Sequence, residues 1–232
     1  MPRVSKIRAE KATKKLRPLQ QAMLNGNPKR IKQINEFVDK DHKVSMAFYD
    51  LTEGYQAVAS SPDLVIKDME KLIKEDPDFL DPYSYAAEAY CQLEDYDKYT
   101  SYTYRAYLKA LHKVATKDGR YPKQLAWMWL ENRHIIRALN NFALFNWDNG
   151  DIRLALEVYR KLLESNPADN IGARFSILAL RMGYMPNYED LFLPKIDPAY
   201  GLDAGRLSNW FEEGSKKYPE EFAEWLQAQE MI

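Results

Sequence analysis

The sequence is poor in cysteine, histidine, strand-forming runs and long apolar stretches, and each shortage removes a class of protein. A single cysteine, Cys91, cannot close an internal bridge, so no disulfide framework is expected and a reducing, cytoplasmic setting fits. No uninterrupted apolar run approaches the ~18 residues a membrane helix needs, and the N-terminus lacks the apolar stretch of a secretory signal. No membrane contact is expected. Three histidines and one cysteine leave little material for metal binding or nucleophilic chemistry. No nucleotide-binding loop, nucleophile elbow or zinc-ligand cluster stands in the chain. Catalytic residues, metal and cofactor are accordingly all expected to be none. The nearest approach is Glu131-Asn132-Arg133-His134, which sets a carboxylate and an imidazole on one helical face. Di-iron bundles need two such pairs; with only one, this reads as a surface pair on an extended helix.

What the chain does have is the balance of an ordinary folded protein, with 46% apolar and 29% charged residues over 232 positions. Its net charge of −1 conceals an asymmetry. Residues 1–32 hold ten Lys or Arg against one acid, Glu10, a charge of +9, which leaves −10 for the remainder. A basic head on an acidic body suits either a solvated helix face or an anionic contact such as nucleic acid or a ribosome.

Apolar residues recur at helical spacing. Ile135, Leu139, Phe142 and Phe145, then Leu156, Tyr159 and Leu163, mark two amphipathic helices parted by Asn149-Gly150-Asp151. The helix-start signals are periodic as well. Asn27-Pro28 and Ser61-Pro62 each place a capping side chain before a proline, which costs nothing at the first helical position. Pro28 to Pro62 is 34 residues, Pro62 to Tyr96 is 34, and Ile152 to Pro186 is 34, while Tyr96 to Ile152 is 56. The excess falls around Asp118-Gly119-Arg120-Tyr121-Pro122. It is read as a lengthened helix before that turn and an early start to the next helix near Lys123. Turns are expected near Gly26, Ser60, Glu94, Gly150 and Gly183.

A helix–turn–helix unit of this length resembles the tetratricopeptide repeat, and residues 138–170 carry the likeness. Leu139 stands at the bulky position and Ala143 at the small residue where paired helices cross. Asn149-Gly150-Asp151 makes the turn, Ala155 is the small residue of the second helix, Tyr159 the aromatic, and Pro167 closes the unit. The resemblance implies an all-α fold: a right-handed solenoid of antiparallel helix pairs, with about five degenerate pairs over 1–202. Helices over 203–232 would cap it, the first starting at Asp203, because stacked repeats need a polar end.

The resemblance also implies a non-enzymatic scaffold whose first helices line a concave groove. The matching positions are Arg133, Arg137, Asn140, Leu144 and Trp147 in one unit and Arg174, Leu178 and Arg181 in the next, with Ser84, Glu88 and Cys91 in the unit before. Arginine forks and a tryptophan anchor there suit a protein or peptide with acidic and apolar features. A nucleic-acid or ribosome adaptor working through 1–32 is the second reading. Eight of the sixteen tyrosines lie between Tyr83 and Tyr107, and they suit either helix seams or an interface.

Overall fold

Each helix begins where the sequence supplies a reason to begin. The structure, a computed structural model, describes residues 36–55, 61–115, 120–194 and 201–230. Over these it forms α1 (Ser45–Tyr55), α2 (Pro62–Glu75), α3 (Asp81–Gln92), α4 (Tyr96–Val114) and α5 (Leu130–Asp148). Then follow α6 (Ile152–Ser165), α7 (Ala173–Arg181), a 3-10 turn (Tyr188–Phe192), α8 (Ala204–Ser215) and α9 (Pro219–Glu230). The chain is all-helical among the described residues, and its one β feature there is an isolated bridge of Glu36 with Gln124. No helix among them is long and apolar enough to cross a membrane.

Three of the periodic start positions are first helical residues: Pro62, Tyr96 and Ile152. Asp95 and Asp151 cap theirs by accepting from the backbone N–H of Lys98 and Leu154, each satisfying a donor that the first turn leaves without a partner. Asp203 does the same for α8 through Arg206 N–H. Pro186 differs, since it leads into the 3-10 turn and not an α-helix. Pro28, the turns near Gly26 and Ser60, and the basic segment 1–32 lie outside the described residues.

The ends of α3, α5 and α7 share one geometry. Leu93, Asn149 and Met182 are followed by Glu94, Gly150 and Gly183 at positive φ, and the next N–H bonds back to Tyr90, Asn146 and Ala179 respectively. This is the Schellman closure, which wants glycine at the left-handed position. The turns expected at these three sites are therefore present. Helices α2 and α6 end otherwise, at Asp76 and Asn166, each just before a proline.

One expectation fails between α4 and α5. The lengthened α4 is there, 19 residues long, but no helix starts near Lys123. Helix α5 begins at Leu130, and the approach to it is extended. Gln124 carbonyl accepts from Phe37 N–H, and Leu125 N–H donates to Ser165 carbonyl. Partners distant in sequence satisfy this backbone, so it has no need of a helix to do so.

Helices adjacent in sequence pack on one another from α1 to α7, and α3 also touches α5 across the intervening α4. One apolar core runs from Ile73 in α2 to Phe222 in α9, and a smaller one, with Val44, Phe48, Met69 and Phe79, joins α1 to α2 and α3. The last two helices share the main core: α8 lies on α7 and the 3-10 turn, and α9 on α6.

Candidate binding groove

A cavity of about 400 Å³ opens where α2, α3, α4 and α5 meet. Its wall from α3 is Ser84, Tyr85, Glu88 and Gln92, and its wall from α5 is Ala138, Asn141 and Leu144. Tyr99 and Thr103 of α4 and Val65 of α2 close the back. Tyr85 and Leu144 are large apolar side chains left 42% and 40% exposed, although Phe48 packs edge-on against Tyr85 at 5.1 Å. Burial, with Cys91, Glu88 and Asp148 close by, pushes the Tyr99 phenol up to about 12. Burial likewise raises the Cys91 thiol, and the Glu88 and Asp148 charges add to it.

The eight residues expected on a concave face are not brought together. Leu144 lines the groove; the others do not. Trp147 and Leu178 are core residues, 2% and 0% exposed. Trp147 stacks on Tyr188 and donates its indole N–H to the Tyr184 carbonyl. Asn140 is half-buried, and Asn141 beside it reaches the groove instead. The arginines are engaged within the chain. Arg137 grips the buried Asp81 with both Nε and Nη2. Arg174 pairs with buried Asp169 at 2.7 Å and stacks on Phe175, Phe211 and Trp225. Arg181 holds Glu220 at 2.8 Å and Glu221 at 3.3 Å, and Arg133 donates to the Trp127 carbonyl. An acidic ligand therefore finds its intended cations already committed. Of the neighbouring trio, Ser84 and Glu88 do line the groove, and Cys91 sits half-buried next to Gln92.

The tyrosine cluster divides between core and groove. Tyr83 and Tyr90 are buried, and Tyr107 stacks on Phe142 at 3.5 Å. Tyr90 and Tyr102 both donate their hydroxyls to Glu70. Tyr85 and Tyr99 face the groove.

A second convergence was missed in the sequence. His134 is not on the surface: it is 1% exposed and sits with Asp39 and His42 in a polar knot. Leu80 N–H donates to His134 Nδ1 at 3.0 Å, so the ring's own proton is on Nε2, which donates to Asp39 Oδ2 at 3.0 Å. His42 lies between two carboxylates, Nδ1 to Asp76 at 2.8 Å and Nε2 to Asp39 at 3.1 Å, an arrangement that wants the doubly protonated ring. Lys113 adds a bond to Asp39 at 2.9 Å. Burial would raise the Asp39 carboxyl, but donors His134, His42 and Lys113 outweigh it and hold it well below the ordinary range. Burial would lower His42, but Asp39 and Asp76 outweigh it and raise it; for His134 burial prevails and lowers it.

The knot's ligand atoms lie within 4.8 Å of one another, close enough to ask whether a metal fits. A metal on His134 Nε2 needs the ring proton on Nδ1, where Leu80 N–H already points. The proton arrangement suits a structural clasp better. It ties the 36–44 segment to α4, α5 and the α2–α3 turn, helped by Asn132, which bonds the backbone of Phe37, Asp39 and Ala126. Only the pairing of distant segments reveals it; the sequence signal was a lone E-x-x-H and His42 just after Asp39 and Asp41.

No family model, curated protein or solved structure matches the chain.

Proposed function

We propose that this protein is a non-enzymatic binding module, a right-handed superhelix of tetratricopeptide-like helix pairs that takes a segment of a protein partner in the groove between α3 and α5. The observation that carries the reading is the groove itself. Its lining joins the exposed apolar side chains of Tyr85 on α3 and Leu144 on α5 with the polar Glu88, Gln92 and Asn141. Exposed large apolar side chains gathered in a recess mark an interaction site better than scattered ones do. The repeat reading is supported by the recurring Schellman ends of α3, α5 and α7 and by the contact of alternate helices α3 and α5. The buried Asp39–His42–His134 knot lines no part of this groove.

Panning a display library of random peptides against the full chain tests the reading. Recovered peptides should bind wild type and lose about ten-fold in affinity on Leu144→Ser, as an anchor residue at an interface centre does. Equal affinity for wild type and Leu144→Ser would move the site elsewhere.

A further inference from the structure

We infer that the segment taken by the groove is cationic and amphipathic and belongs to another protein, an inference that rests on the groove being the binding site. Charge is the first ground. Glu88 is the one acidic side chain, and no Lys, Arg or His joins it, among the described residues that line the groove. Asp148, exposed and one turn beyond Leu144 on α5, adds a second negative charge whose field reaches Cys91 and Tyr99. Both nearby acids hold back ionisation of the thiol and the phenol, so the field at the groove is negative.

Three cations of α4 and α5 are engaged within the chain. Arg137 is bound to Asp81, Lys98 sits beside Asp95 and over the Tyr90 ring, and Arg105 lies over the rings of Tyr83 and Tyr102. A ligand bringing carboxylates would meet Glu88 and Asp148 unscreened; one bringing Lys or Arg would complement them.

Shape is the second ground. Tyr85 and Leu144 offer apolar contacts on two different helices, and Glu88 follows Tyr85 by one turn of α3 on the same lining. A segment with apolar side chains on one face and cations on the other satisfies both. The cavity of about 400 Å³ holds a few side chains, so the rest of the ligand runs across the surface.

Two fluorescent amphipathic peptides with identical leucine positions, one with lysine and one with glutamate on the polar face, decide the matter by anisotropy titration on the full chain. The lysine peptide should bind at least about ten-fold more tightly, and the difference should shrink at high salt. Glu88→Lys should abolish or reverse the preference, while Glu213→Lys, at an exposed position of α8, leaves it unchanged. Leu144→Ser, checked by thermal melt to be folded, should weaken both peptides. Equal binding of both peptides, still lost on Leu144→Ser, overturns the cationic ligand and leaves the groove standing. Equal effects of Glu88→Lys and Glu213→Lys assign the attraction to the acidic body at large and overturn the inference. Binding of neither peptide, or binding indifferent to Leu144→Ser, overturns inference and groove together. A peptide of residues 3–20 that displaces the lysine probe better than unlabelled probe does would give the groove to the chain's own basic head, and the separate partner falls.

Discussion

Arg174 shows how far a residue's surroundings can overrule its type. From the sequence an arginine at an inner-helix position is a ligand-binding fork. In the fold its guanidinium neutralises Asp169, which is 5% exposed, and carries three aromatic rings from α7, α8 and α9. Removing one partner of such a pair leaves a buried charge without an answer. Arg174→Ala should therefore cost about 2–4 kcal/mol in urea unfolding, somewhat below the full buried-pair penalty because the Arg174 side chain is 22% exposed. Lys161→Ala, which breaks the solvent-facing pair with Glu157, should cost no more than about 1 kcal/mol. Replacing both partners, Arg174→Met with Asp169→Asn, should recover part of the loss, since no unpaired charge remains. Equal costs for Arg174→Ala and Lys161→Ala would remove Asp169 from the account.

The two buried histidines should respond to pH with opposite signs. His42 has a raised folded value. Its contribution is whole below the unfolded value of about 6.5 and is lost as pH rises through the folded one. His134, lowered by burial, contributes fully above about 6.5 and loses this as pH falls towards its folded value. Asp39 and Asp76 are held low, so their contributions are whole above the ordinary carboxylate value of about 4 and fade only in stronger acid. The stability lost on His42→Gln should thus be larger at pH 6 than at pH 9, and that lost on His134→Gln larger at pH 8 than at pH 5. Urea midpoints across this range give both differences. Losses that do not vary with pH would mean that neither ring titrates differently in the folded chain.

At the scale of elements, the three Schellman ends make a controlled comparison. Positions 150 and 183 hold glycine, whereas Glu94 sits at φ 59 with a side chain. A non-glycine residue in this region costs about 1–2 kcal/mol, offset in part by the entropy glycine loses on folding. Glu94→Gly should raise stability by about 0.5–1 kcal/mol, and Gly150→Ala should lower it by a similar amount, read as shifts of the thermal midpoint. The same elements show what was legible in the chain. Starts at Pro62, Tyr96 and Ile152 and the ends at 150 and 183 follow from local chemistry: proline without an N–H to lose, aspartate accepting from the first turn, glycine free to turn left; the end at Glu94, with no glycine, was legible only from the 34-residue spacing. The stretch from Arg120 to Trp129 was not legible, because Gln124 and Leu125 bond to Phe37 and Ser165, which no local pattern announces. The inner face of α5 was misread for a related reason. Eleven of its nineteen residues are buried, so several helical stripes are apolar, and periodicity alone does not tell the groove stripe at Ala138, Asn141 and Leu144 from the packed one ending at Trp147.

For the whole molecule, the described residues form a body in which Arg137, Arg174 and Arg181 pair with acids of the same chain, and the recess between α3 and α5 keeps two large apolar side chains exposed. Consecutive helices bury one another's apolar faces, α8 packs on α7 and α9 on α6, and the groove at α2–α5 keeps Tyr85 and Leu144 partly exposed. That a partner lies there is the central claim. It is tested most directly by methyl NMR on the full chain, titrated with the tightest peptide recovered from display panning. The account predicts shifts at the Ala87, Ala89, Ala106, Ala138, Val65 and Leu144 methyls, with those of Ala179 and Leu207 at the α7–α8 end unmoved. Shifts confined to α7–α9, or spread evenly over the chain, would contradict it.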